Sequence, residues 1–129
     1  MSRNQQIFDL ADALTSPPSG DKAQMWIAGV VFALVPLTYG TLCCATGHAK
    51  TLNITLRGFQ PIGRGLLLDI HGGSAISMGV FFLFVASFMH FQWFWGNHPK
   101  LVYYHEIGKY LSVAGIIVAM GFHAYFMLA

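Results

Sequence analysis

The stretch HGGSAISMGVFFLFVASFMHFQWFW, residues 71–95, contains no Asp, Glu, Lys or Arg. As an α-helix with a rise of about 1.5 Å per residue it would be about 37 Å long, enough to cross a hydrocarbon core about 30 Å thick. It ends in Trp93, Phe94 and Trp95, and aromatic side chains of this kind collect at the depth of the lipid headgroups. The stretch therefore predicts a transmembrane helix, which we place at about Leu66 to Trp95.

Two other stretches are long and apolar enough to cross a bilayer. The first is predicted at about Met25 to Cys44, with a kink at Pro36 because proline removes a backbone hydrogen bond that neighbouring helices can replace. The third is predicted at about Lys100 to Met127, after a tight turn at residues 96–99. The sequence thus predicts an all-α integral membrane protein with three transmembrane helices.

The composition of the whole chain agrees with this fold class. Of 129 residues, 55% are hydrophobic and only 9% are charged, whereas soluble domains carry about 25% charged residues. A soluble globule of this size could not bury so much apolar surface. The net charge of +2 is spread thinly, so no basic block is present to bind nucleic acid. The composition excludes a soluble enzyme and a nucleic-acid-binding protein.

The segments outside the spans also carry patterns. Apolar residues recur at helical spacing before the first span and predict an amphipathic helix at the membrane interface: Ile7, Leu10, Ala11 and Leu14. We therefore divide the chain into an interfacial segment, residues 1–22, and a three-helix domain, residues 23–129. Between the first two spans, alternation of apolar and polar residues predicts a short strand; its apolar residues are Leu52, Ile54 and Leu56.

Four histidines lie in the predicted spans. His71 is near the start of the second span and His90 near its end, whereas His105 is near the start of the third and His123 near its end. The short turn between these spans makes them antiparallel neighbours, so His71 should lie at the depth of His123 and His90 at the depth of His105. Ionisable groups inside a span are costly and face protein, cofactor or water by default.

Such pairs suit a haem b, which needs two imidazoles at similar depth on facing helices with small residues beside them. We favour His71 as a ligand to the haem iron, with His123 or a histidine of a partner subunit opposite, and then His105 and His90 as further candidates. His71 and His90 lie roughly 100° apart around an ideal helix, which favours one haem over two. Small residues line the third helix between its histidines: Gly108, Ser112, Gly115 and Ala119.

The run HGGSAISM, residues 71–78, followed by HEIG, residues 105–108, resembles the core of the cytochrome b561 and related b-type cytochrome families. Those families have a His with small residues and a Met a turn or two later on one helix, and another His opening the next. The resemblance implies transmembrane electron transfer through haem b, with His71 and His105 as ligands to different haems. It covers about residues 66–126. The family needs a fourth span, so the missing ligands would come from His90, His123 or another chain.

A second likeness is architectural only. The three predicted spans resemble the small three-helix anchor subunits of succinate dehydrogenase and fumarate reductase, whose residue motifs this chain does not match.

Each candidate residue has a second interpretation that the sequence leaves open. Histidines near span ends can sit among the headgroups, bonded to water or lipid, which applies to His90, His98 and His105. His71 and His123 can instead form hydrogen bonds between helices, and the small residues of the third helix can form a close packing face. Two carboxyl groups can lie at the water boundary or deliver protons to a quinone: Asp69 and Glu106.

The sequence supports three functions of different classes. The first is an integral membrane subunit of a redox complex that binds haem b and supports electron transfer with a quinone. The second is a non-catalytic accessory subunit of a larger membrane complex, and the third is a proton or ion pathway formed by an oligomer. In all three, the expected partners are other membrane subunits or further copies of the chain, together with lipid. The expected location is a bacterial inner membrane or an organellar equivalent.

Overall fold

The computed structural model describes residues 21–52 and 67–129. The amphipathic helix predicted around Ile7 to Leu14 lies outside the described residues. So do Ile54 and Leu56 of the predicted strand. Neither prediction is tested.

Three helices are long and apolar enough to cross a membrane: α1, Lys22–Thr46; α2, Gly73–Trp95; and α3, His105–Leu128. This confirms the predicted class, an all-α protein with three membrane-spanning helices. Two of the helices contain a π-helical turn, at Ile27–Val31 in α1 and at His90–Trp95 at the end of α2. Pro36 lies within the α-helical part of α1 without ending it.

A β-hairpin caps one end of the helices. Its strands, β1 at His48–Leu52 and β2 at Leu67–His71, pair antiparallel. Thus α2 begins at Gly73 and not near Leu66, because LLDIH alternates between exposed and inward side chains and pairs with β1. Ala49 and Ile70, on the inner face of the hairpin, are buried against the helix ends.

Two glycines and a tyrosine attach the hairpin to the helices. Gly47 (φ 61°) ends α1 in the left-handed region, which glycine adopts without steric cost, and Gly72 (φ 64°) precedes α2. The Gly72 N–H donates to the Gly47 carbonyl at 2.9 Å. The Tyr39 hydroxyl donates to the carbonyl of Lys50 at 2.6 Å and accepts from its N–H at 3.0 Å. These contacts fix the hairpin on the end of α1.

The third helix begins later than the sequence predicts. Residues 99–104 form turns, and α3 starts at His105 rather than near Lys100. The N–H groups of Leu101 and Val102 both donate to the carbonyl of His98. The connection is still short, and α2 and α3 are antiparallel neighbours as the turn predicts.

The three helices form a row with α2 in the middle. Helices α1 and α3 each pack along α2, and within the described residues they make no extended contact with each other. The contact of α1 with α2 is close enough that their backbones meet: a Cβ built on Gly79 would lie 2.8 Å from the carbonyl oxygen of Gly40 and 2.6 Å from Cys44 Sγ.

Phenylalanine rings fill the space beside glycines where α2 meets α3. Phe84 packs on Gly115 and Phe91 on Gly108, both from α2, whereas Phe126 of α3 packs on Gly73. The stripe of small residues predicted on the third helix lies on this face, with all members buried or half-buried: Gly108, Ser112, Gly115 and Ala119. Within the chain, this stripe packs against α2.

Candidate functional site

His90 lies where the two π-helical turns meet. Its Nδ1 is 3.0 Å from the carbonyl oxygen of Gly29 in α1, and its ring stacks on Phe94 with a centroid distance of 4.8 Å. A carbonyl can only accept a hydrogen bond, so Nδ1 carries the proton and the neutral ring keeps its lone pair on Nε2. π-Helical turns are frequent at functional sites.

A groove of about 390 Å³ runs between α1 and α2 beside His90. Its lining is apolar except for His90 and Ser87, with Gly29, Ala33 and Phe91 among the other residues. Among the described residues that line this groove, His90 is therefore the one ionisable group.

His123 joins α3 to the start of α2. Its Nδ1 is 3.0 Å from the carbonyl oxygen of Ser74 and 3.2 Å from Ser77 Oγ. The Ser77 hydroxyl itself donates to the carbonyl of Ser74 at 2.9 Å, so its oxygen is free to accept from the imidazole. This is a hydrogen bond between helices, and it again places the proton of the neutral ring on Nδ1.

His105 is enclosed at the opposite end of α3. Its side chain is 4% exposed, its Nδ1 contacts the carbonyl of Val102, and its Nε2 has no hydrogen-bond partner within residues 21–52 and 67–129. Because the protein surrounds Nε2, a flat macrocycle has no approach to it in this conformation.

Further polar groups are buried near His105. Gln92 is 2% exposed, and its Oε1 has no hydrogen-bond partner in the described part of the chain. The facing pairs Phe91 with Gly108 and Phe84 with Gly115 place Gln92 at a depth between His105 and Lys109, which is 5% exposed. Neither Gln92 nor Lys109 stands out in the sequence, because both lie close to span ends, where polar residues usually reach water.

His71 lies on strand β2 and not on a helix. Its ring faces that of His48 on β1, with a centroid distance of 4.5 Å, and His48 Nε2 is 3.4 Å from Asp69 Oδ1. All three side chains are on the exposed face of the hairpin. No local pattern in the sequence distinguishes His48, because its relation to His71 depends on pairing between strands that are far apart in the chain.

The four predicted haem ligands therefore lie at both ends of the helix row and contact different residues. The antiparallel topology places His71 and His123 at one end of the helix row and His90 and His105 at the other. His71 contacts His48, whereas the other three direct Nδ1 to carbonyl groups of Ser74, Gly29 and Val102. Among the residues that the structure describes, no three His, Cys, Asp or Glu side chains form a group that could hold a metal ion.

No family model, curated protein or solved structure matches the chain. The resemblance to b-type cytochromes stays a prediction.

The two candidate proton-relay groups are far apart in the topology. Asp69 lies on the hairpin at one end of the helix row, and its carboxylate contacts His48. Glu106 is exposed in the first turn of α3 at the other end. They therefore belong to opposite surfaces of the membrane domain.

Proposed function

We propose that the chain is an accessory subunit that packs against other subunits of a larger membrane complex. The observation that carries this proposal is the row of helices, in which no other part of residues 21–52 and 67–129 packs along the outer faces of α1 and α3. Large apolar side chains are exposed along both helices, including Val35 on α1 and Leu111 and Ile117 on α3.

The outer face of α3 has a feature that favours a protein neighbour over lipid. Gly121 is exposed, and apart from its chain neighbours and the backbone of its own helix, no atom of the described residues lies within 4 Å of the position that its Cβ would take. A shallow depression of about 370 Å³ surrounds it, lined also by Val118, Phe122 and Tyr125. Transmembrane helices associate where small residues let backbones approach closely. Gly40 and Gly79 allow this approach where α1 meets α2, and Gly121 offers the same opportunity on the outside of α3.

Replacing Gly121 by Leu should abolish assembly without unfolding the chain. The added side chain fills the depression without overlapping another helix of the described residues, so the free energy of unfolding should change by no more than about 1 kcal/mol. The measurement is the size of the complex extracted in mild detergent, with the amount of each co-purified subunit.

The matched control is Gly121→Ala, which keeps a small side chain at this position and should assemble as the wild type does. A Gly121→Leu chain that still enters a complex of wild-type size and composition would contradict the proposal for this face.

The binding of haem b, with a redox role, is a second candidate. Its support is the orientation of His90 and His123, each of which directs Nδ1 to a backbone carbonyl and keeps the lone pair on Nε2. Imidazoles that ligate a metal are commonly held in this way. His90 also has the groove between α1 and α2 beside it. Because His105 Nε2 is enclosed, the second imidazole would come from a partner subunit, and a quinone would exchange electrons with the haem.

Reduced-minus-oxidised absorption spectra of the purified complex separate these two functions. If haem is bound through His90, His90→Ala should remove the α band, whereas His98→Ala should leave it unchanged. An absent band, or a band that survives His90→Ala, would contradict the haem proposal. The accessory role is read independently, from the assembly of the Gly121 variants.

A further inference from the structure

The outward face of the hairpin places two imidazoles side by side. His48 and His71 are directly opposite in the register of β1 and β2, and their ring planes are inclined by 43°. The bond from the Gly72 N–H to the Gly47 carbonyl makes the adjacent His48–His71 pair a non-hydrogen-bonded pair. Side chains approach each other most closely at such pairs.

The spacing of the two rings suits a shared metal ion. The centroids are 4.5 Å apart, and a tetrahedral ion with bonds of about 2.0–2.1 Å would hold the centroids of two imidazole ligands about 5 Å apart. The two centroid distances differ by less than about 1 Å, which rotations about the side-chain bonds can supply. Since both residues are exposed, water molecules can supply the remaining ligands.

Asp69 completes the arrangement as a positioning group. Its Oδ1 is 3.4 Å from His48 Nε2, and carboxylates commonly orient a ligating imidazole by contacting its other nitrogen. The negative charge of Asp69 also favours a bound cation. Lys50 lies opposite Asp69 in register on the same face, and it is the one positive side chain among the described residues of the two strands.

The backbone beneath the two histidines is held in place before any ion binds. Tyr39 bonds both the N–H and the carbonyl of Lys50, and Ala49 and Ile70 bury the inner face of the hairpin. A site on a rigid support loses less conformational entropy on binding.

We infer that His48 and His71 bind a divalent transition metal ion, Cu²⁺ or Zn²⁺, at the membrane surface formed by the hairpin. Imidazole is a ligand that these ions prefer, whereas Mg²⁺ and Ca²⁺ prefer oxygen ligands. The bound ion would link β1 to β2, and therefore the end of α1 to the start of α2. This binding site is independent of both proposed functions.

Isothermal titration of the full chain with ZnCl₂ tests the site, using protein in detergent micelles and without a polyhistidine tag. We expect one ion per chain. His48→Phe and His71→Phe should each weaken binding by at least about tenfold, because phenylalanine keeps a ring in the strand but has no nitrogen. The control, His98→Phe, alters a histidine at the other end of the helix row and should bind as the wild type does.

Electron paramagnetic resonance of the Cu²⁺-loaded chain provides a second measurement. It should show coupling to two imidazole nitrogens in the wild type and to fewer in either hairpin variant. Far-ultraviolet circular dichroism of each variant establishes that its fold is kept. The inference is overturned if the wild type takes up no stoichiometric ion at millimolar ZnCl₂, or if folded His48→Phe and His71→Phe both bind like the wild type.

Discussion

Gly79→Val should separate α1 from α2 and lower the free energy of unfolding by about 3 kcal/mol. A Cβ at position 79 would lie 2.6 Å from Cys44 Sγ and 2.8 Å from the carbonyl oxygen of Gly40. Relief requires the backbone of α1 to move, since Gly40 has no side chain that could rotate away. The clash is reciprocal, because a Cβ on Gly40 would lie 2.7 Å from the Gly79 carbonyl oxygen.

Unfolding in mixed micelles of mild detergent and dodecyl sulfate measures this loss. Gly121→Val is the matched control, because it adds the same side chain to a transmembrane glycine whose Cβ position has no atom of another described element within 4 Å. It should change the unfolding free energy by no more than about 0.5 kcal/mol. Equal losses in the two variants would mean that valine weakens these helices through helix propensity and not through the contact with Gly40.

The difference between positions 79 and 121 marks the limit of what the sequence predicts. Both are glycines in long apolar stretches, and the absence of charge is enough to predict that each lies in a span. Which neighbour each faces depends on the order of helices in the row, and no local pattern encodes that order. The fold class therefore follows from composition, whereas the packing does not.

The start of α2 shows that hydropathy alone does not predict where a span begins. Residues 67–71, LLDIH, are apolar enough to extend a span, but their alternation is that of a strand. The partner strand begins at His48, which is distant in sequence, and pairing of this kind is set by tertiary structure. The predicted angle of about 100° between His71 and His90 assumed a continuous helix. His71 lies on β2, so that angle does not describe their relation.

For the histidines, the sequence predicts their depth in the membrane but not the direction of their side chains. The depth of each one follows from a short turn and the helical rise, which the sequence supplies. The direction of each imidazole depends on the phase of the helix, and the π-helical turns at residues 27–31 and 90–95 shift that phase without a sequence signature. His90 thus reaches the carbonyl of Gly29 on α1 instead of facing His105 on α3.

Combining Phe84→Ala with Gly115→Leu should restore the contact of α2 with α3, although each substitution alone should weaken it. The Phe84 ring occupies the space that a Cβ on Gly115 would need, so Gly115→Leu should cost about 3 kcal/mol of unfolding free energy through overlap. Phe84→Ala should cost at least about 3 kcal/mol through lost packing. The double variant moves a large side chain from α2 to α3, and its loss should be smaller than the sum of the two by about 2 kcal/mol.

The same unfolding measurement on Phe82→Ala tests whether this recovery is specific. Phe82 also lies on α2, but it packs edge-to-face on Tyr39 of α1, with ring centroids 5.1 Å apart. Combined with Gly115→Leu, its effect should therefore be additive, since the two sites lie on opposite sides of α2. If the losses of unfolding free energy from Phe84→Ala and Gly115→Leu were additive as well, contacts other than this pair would have to set the distance between α2 and α3. The bond of His123 to Ser74 and Ser77 would then be the first contact to remove.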